Sequence, residues 1–246
     1  MAPSVLAHQP MLQISLQWVI LHAFKPARMA GVAVALVSGG IDSPVAVARM
    51  LAKGWTIYPF HASQEPITGP EAEEKTIASL TKLMSIDEYS GRIVPELVVV
   101  PVAEQLALFT EKRNHKEYFI HMKRLFNTIG CIIAKQVEAT HLLTGENLGQ
   151  VSSQTLGNMG CIQSASDLPI LRPLLGLDKV EIMHMARKLG TLAIGEGKEV
   201  CDALGPAKPA TVADADWVEE SERILGGIDA IARAAWDERR NVSIEN

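Results

Sequence analysis

The stretch "GVAVALVSGGIDSPVAVARMLAKG", Gly31 to Gly54, decides the fold. Its opening, Gly31 to Val37, is continuously apolar, as expected of a strand covered on both faces. Its end has Pro44 at a first-turn position and Gly54 just past the last periodic residue, the punctuation of a helix. Between the two, Ser38-Gly39-Gly40 gathers backbone N–H groups into a concave turn at a helix N-terminus. Such a turn is an anion site. Gly39 and Gly40 let the main chain approach a phosphate and take torsions closed to other residues, while Ser38 and Ser43 add hydroxyl donors. A bare carboxylate repels a phosphate, so Asp42 makes chemical sense with a divalent cation between the two.

The same alternation continues along the chain. Thr56 to Ala62 reads as a second strand, Glu71 to Met84 as a helix, and Glu96 to Val102 as a third strand. Phe126, Ile129, Ile133 and Val137 recur at helical spacing and predict a long helix from about Tyr118 to Val137. Thr140 to Glu146 reads as a fourth strand and Leu168 to Gly176 as a fifth. Asp178 with Glu181 three residues on predicts a capping box for a helix closed by Gly190. The expectation is an α/β fold: a doubly wound, Rossmann-like parallel sheet with helices on both faces.

Three segments follow: an N-terminal extension over 1–30, the α/β domain over 31–211, and a helical C-terminal segment over 212–246. In the last, Trp217, Ile224, Ile228 and Ile231 predict one or two helices that pack on the sheet or mediate a homodimer. Met11 to Phe24 is apolar but broken by Gln13, Gln17 and His22, too short to span a bilayer and without a basic leader. A core-packed helix or strand is expected there, and no membrane association.

At 246 residues and 48% hydrophobic content the chain has ample material for a packed core. A formal charge of -5 gives no general basic field for nucleic acid, so any RNA contact needs a local patch or a helper. One local run exists, "EKRNHKEYFIHMKR" from Glu111 to Arg124, mixing cations with Tyr118 and Phe119; it reads equally as a base-stacking surface and as a solvated helix face. Three widely spaced cysteines, with no C-x-x-C pair, point to a reducing cytoplasm.

Spacing separates two better-known phosphate loops from this one. G-x-x-x-x-G-K-[ST] needs a lysine that does not follow these glycines, and "SGGIDS" lacks the G-x-G-x-x-G pattern. The stretch resembles S-G-G-x-D-S, the loop of the PP-loop ATP pyrophosphatases (adenine nucleotide alpha hydrolase type), which cleave ATP between the α and β phosphates. With "TGENLGQVSSQTL" from Thr144 to Leu156 and "LPILRPLLGLDKVEIMHMARKLGT" from Leu168 to Thr191, the resemblance narrows to the 4-thiouridine synthetase family, tRNA sulfurtransferases also tied to thiamine thiazole synthesis. It runs from about Val34 to Thr211 and covers the catalytic domain.

That resemblance implies ATP and Mg2+ as cofactors, with Leu36, Val37 and His61 contacting the nucleotide. It also implies that Ser38, Gly39, Gly40 and Ser43 hold the pyrophosphate, that Asp42 acts through magnesium, and that Lys123, Gly145 and Gln154 make further ATP contacts. Uracil O4 leaves poorly until it is adenylated, so ATP serves as activator. Sulfur then arrives as a cysteine persulfide, loaded by a cysteine desulfurase or another donor. Cys201, in "KEVCDALGPAKPAT", matches the family's functional cysteine; Lys198 and Lys208 favour its thiolate, whereas Glu199 and Asp202 oppose it. Cys131 and Cys161 read as packing residues or resolving thiols. The chain is expected to lack the family's RNA-binding THUMP module and rhodanese domain, and so to take tRNA from a separate THUMP-like partner. Two alternatives are an enzyme adenylating a small metabolite or a sulfur-carrier protein, and a non-catalytic ATP-binding subunit.

Overall fold

The computed structural model describes residues 31–197 and 203–245. The expected core segment between Met11 and Phe24, and Cys201 with Lys198, Glu199 and Asp202, lie outside the described residues.

Strand β1 (Val32–Leu36) is an inner strand of the sheet. It pairs in parallel with β2 (Thr56–Ser63) on one side and with β4 (His141–Leu143) on the other, Val34 standing opposite Tyr58 and Leu142. β3 (Glu96–Pro101) extends the sheet beyond β2, and β5 (Ile170–Leu171) extends it beyond β4. The sheet is completed at the β3 edge by an antiparallel strand, β6 (Arg240–Ser243), giving the order β5-β4-β1-β2-β3-β6. The expected doubly wound α/β sheet is present, with one antiparallel edge that the alternation of strand and helix did not announce.

Strand β1 alternates between two apolar layers. Ala33, Ala35 and Val37 pack with helices α1 (Asp42–Leu51) and α2 (Glu71–Met84). Val34 packs on the opposite face, with Phe60 and with Leu125, Ile129 and Ile133. These last belong to α4 (Tyr118–Val137), which follows the short α3 (Ala103–Leu108). The chain steps from β1 to β2 to β3 in one direction and then crosses to β4 on the far side of β1. The strand order therefore reverses between β1 and β4, and in open α/β sheets that point opens a crevice at the strands' carboxyl ends.

Two strands are shorter than expected, for identifiable reasons. β4 stops at Leu143 because the next turn of chain is pressed onto the start of α1: a Cβ added to Gly145 would lie 2.8 Å from the Ser43 nitrogen. β5 is flanked by Pro169 and Pro173, which cannot donate to a ladder. Beyond α5 (Leu156–Gln163), the predicted capping box forms at α6 (Lys179–Leu189): Glu181 N–H donates to Asp178 at 2.8 Å and Asp178 N–H donates to Glu181 at 2.8 Å. Gly190 closes that helix at φ 76. After α7 (Leu192–Gly195), the C-terminal part holds the expected helices, α8 (Ala215–Ile224) and α9 (Ile228–Asp237). Ile231 and Ala235 of α9 join the α4 layer.

Candidate active site

The loop between β1 and α1 is held in shape by its own residues. Gly39 has φ +78, and a Cβ there would lie 2.3 Å from the carbonyl oxygen of Ala72 on α2, so the position admits glycine alone. Ser38 N–H donates to Ser43 Oγ at 3.1 Å, and the two hydroxyl oxygens stand 3.4 Å apart. No side chain caps α1 at Ile41, so its first-turn N–H groups are left for a ligand. Pro44 lies in that same first turn, where it deprives the helix of no hydrogen bond.

In front of the loop, at the carboxyl ends of β1, β2 and β4, is a cavity of about 770 Å³. Of the residues singled out from the sequence, Leu36, Ser38, Gly39, Gly40, Asp42, Ser43, His61, Lys123, Gly145 and Gln154 line it. Val37 does not: it is fully buried, and its carbonyl accepts a hydrogen bond from His61 Nδ1 at 2.8 Å. Val37 thus acts behind the wall, fixing the tautomer that leaves His61 Nε2 as an acceptor. Thr76 Oγ1 lies 3.2 Å from the same Nδ1 and donates to Ala72 O at 2.9 Å. Burial lowers the His61 pKa against the opposing pull of the Val37 carbonyl, so the ring is neutral at pH 7.

The sequence reading missed the groups that set the cavity's charge. Glu146, on the loop after β4, takes Lys123 Nζ at 2.7 Å on one oxygen and Arg172 Nε at 2.7 Å on the other. Burial by itself would raise the Glu146 carboxyl, but the two cations outweigh it and hold the pKa at about 2. Arg172 also donates to Gln163 Oε1 at 2.9 Å. Lys179, the first residue of α6, donates to Asp42 Oδ1 at 2.8 Å. A lysine at the positive end of a helix runs against the macrodipole, and that misplacement in "LDKVEI" was the available signal of a role beyond folding. Lys75 of α2 donates to Glu196 O at 2.8 Å.

The run from Glu111 to Arg124 is divided by the fold. Lys112, Arg113 and Lys116 are exposed, whereas Lys123 points to the cavity and Arg124 is buried. Arg124 grips Glu222 of α8 through two hydrogen bonds, Nε to Oε1 at 2.8 Å and Nη2 to Oε2 at 2.9 Å. Tyr118 is fully buried and Phe119 lines the cavity, so this run does not form one aromatic and cationic surface. Cys131 and Cys161 are buried and neither lines the cavity; desolvation raises the Cys161 thiol, which disfavours its thiolate. Gly195, Gly205, Pro206 and Pro209, on either side of the Cys201 segment, do line it.

A model of the family described as thiamine biosynthesis protein (ThiI) matches residues 28–225. The chain belongs to the ThiI family. The match takes in the glycine loop, the cavity's lysines and Cys201, and ends before α9 and β6. Among ThiI-like proteins, a probable tRNA sulfurtransferase of Macrococcus caseolyticus is 38% identical over 199 residues, covering 80% of this chain and 48% of that one. One of Moorella thermoacetica is 35% identical over 209 residues, covering 84% and 52%. The chain therefore spans about half the length of these relatives. A crystal structure of a 4-thiouridine synthetase–RNA complex with bound ATP superposes with a TM-score of 0.78 at 33% identity, over 87% of this chain and 55% of that one. Among the described residues no helix is long and apolar enough to cross a membrane.

Proposed function

We propose that the chain carries the ATP-dependent chemistry of a tRNA sulfurtransferase, forming AMP and pyrophosphate as uridine O4 is replaced by sulfur. The observation that carries this reading is the uncapped glycine turn at the sheet's switch point, opening on a cavity of about 770 Å³ that Lys123 and Lys179 also line. That volume suits a nucleotide together with part of its acceptor. The superposition on a 4-thiouridine synthetase whose crystal structure has bound ATP, at 33% identity, supports the same reading.

The N–H groups at the start of α1 and the Ser38 and Ser43 hydroxyls receive the β and γ phosphates. His61 and Leu36 contact the nucleoside, and Gly145 and Gln154 make further contacts with ATP; all four line the cavity. O4 of uracil attacks the α phosphorus, the bond to the bridging oxygen breaks, and pyrophosphate departs into the turn. A persulfide on Cys201 then attacks C4 and AMP leaves. A second thiol attacks the Cys201 sulfur, freeing 4-thiouridine and leaving a disulfide.

The walls favour a divalent cation. Asp42, Glu65, Glu71, Glu73 and Glu146 line the cavity, and Lys75, Lys123 and Lys179, with Arg172 on Glu146 and Arg240 on Glu73, only balance them, so the charge of an entering triphosphate is left for a cation to offset. Among the described residues no group of three or more acidic, histidine or cysteine side chains is arranged to hold a metal, so an ion here would take phosphate oxygens as ligands. That is how Mg2+ commonly binds, with Asp42 as its protein carboxylate and charge neutralisation as its contribution.

A formal charge of -5 and a divided basic run support placing tRNA recognition on a separate RNA-binding partner. The test is 4-thiouridine in tRNA, measured by mass spectrometry after incubation with ATP, a persulfide source and such a partner. Wild type is expected to form it and Cys201→Ala to form none; equal yields from the two would refute the role of Cys201.

A further inference from the structure

Helix α2 begins beside the phosphate-binding turn, since the Ala72 carbonyl fills the space that any side chain at residue 39 would need. The next residue, Glu73, lines the cavity, and its side chain is 12% exposed. A carboxylate there is favoured by the start of α2 but faces the place assigned to the β and γ phosphates. Arg240 meets it from outside the cavity: Nη2 donates to Glu73 Oε2 at 2.5 Å. Arg240 stands on β6, opposite Val99 of β3, and lies beyond the ThiI match that ends at residue 225. Its side chain is 51% exposed and does not line the cavity.

We propose that Arg240 is a positioning residue for the nucleotide, neutralising Glu73 so that the wall beside the glycine turn accepts a triphosphate. This rests on the reading of the cavity as the ATP site. The edge strand β6 thereby does more than cover β3, because it carries a positive charge to the carboxylate of Glu73 beside the turn. Burial dominates the lowered pKa of His61, yet that ring also feels Glu73 pulling it up and Arg240 pulling it down, so both charges reach the cavity's interior. A purely structural clasp would act through the pairing of β6 with β3, whatever the charge on residue 73.

Calorimetric titration of the full chain with ATP and Mg2+ separates the two. Arg240→Ala is expected to weaken binding about tenfold, the effect of one exposed unit charge at roughly 10 Å in a partly solvated site. Glu73→Gln is expected to bind severalfold more tightly than wild type, and Glu73→Gln with Arg240→Ala to return close to the wild-type affinity. A double variant as weak as Arg240→Ala, or a Glu73→Gln variant weaker than wild type, overturns the proposal, and Glu73→Gln keeps it testable should Arg240→Ala fold poorly. Wild type that binds no ATP removes the nucleotide-site reading itself, whereas wild type that binds with Arg240→Ala unchanged removes only the role of Arg240.

Discussion

Gly39 is the residue on which the site's shape turns. Alanine there must hold φ +78 and meet the Ala72 carbonyl at 2.3 Å, so either the loop or α2 has to move. Gly39→Ala is expected to cost about 2 kcal/mol in urea unfolding and to remove measurable ATP binding; binding within twofold of wild type would contradict the assignment of the turn. Glu146 supplies a second prediction. Its carboxyl is held at about 2 in the folded protein against an ordinary value of 4.5. The stabilisation is present in full above about pH 4.5, contributes roughly 3 kcal/mol there, and is lost as pH falls through 2. Glu146→Gln should flatten the acid limb of a pH-dependent melting curve, and an unchanged limb would place the acid sensitivity elsewhere. Asp42 was legible as chemistry, but its partner was not: Lys179 is 137 residues away and reaches it only because α6 starts beside α1. Lys179→Met is expected to lower AMP formation at least tenfold while shifting the melting temperature by about 2 °C or less, since the pair is partly exposed, Lys179 by 43% and Asp42 by 22%.

At the scale of elements, helices were easier to read than strands. Glu71 to Met84 and Tyr118 to Val137 have the observed ends, because each carries a continuous apolar stripe. The fourth and fifth strands were overextended because apolar runs do not reveal that Gly145 must turn against α1, or that two prolines bound the last strand. Strand β6, "RNVS", was illegible: an edge strand largely exposed along its length needs no hydrophobic alternation. The link between α4 and α8 was equally hidden, since Glu222 looks like one more acid on a polar helix. It is 2% exposed and holds Arg124, so Glu222→Ala leaves a buried guanidinium with only the exposed Glu219, 3.7 Å away, for a carboxylate. A loss of about 3 kcal/mol in chemical denaturation is expected, and a loss below 1 kcal/mol would contradict this view of the pair.

For the whole molecule, the alternation of strands and helices announced a doubly wound sheet but not its strand order, and it is the observed crossover to β4 that puts the order reversal, and with it the crevice, at the end of β1. Two of the lysines around that crevice find their partners more than 100 residues away, Lys179 at Asp42 and Lys75 at the Glu196 carbonyl, and only the folded arrangement pairs them. The proposed chemistry breaks a triphosphate between its α and β phosphorus atoms. Incubation with ATP labelled at the α phosphate, in the presence of tRNA, Mg2+, a persulfide source and the RNA-binding partner, reads that bond directly. Labelled AMP released with pyrophosphate, and abolished in Asp42→Ala, is the expected result. Labelled ADP, or AMP formed undiminished by Asp42→Ala, would contradict it.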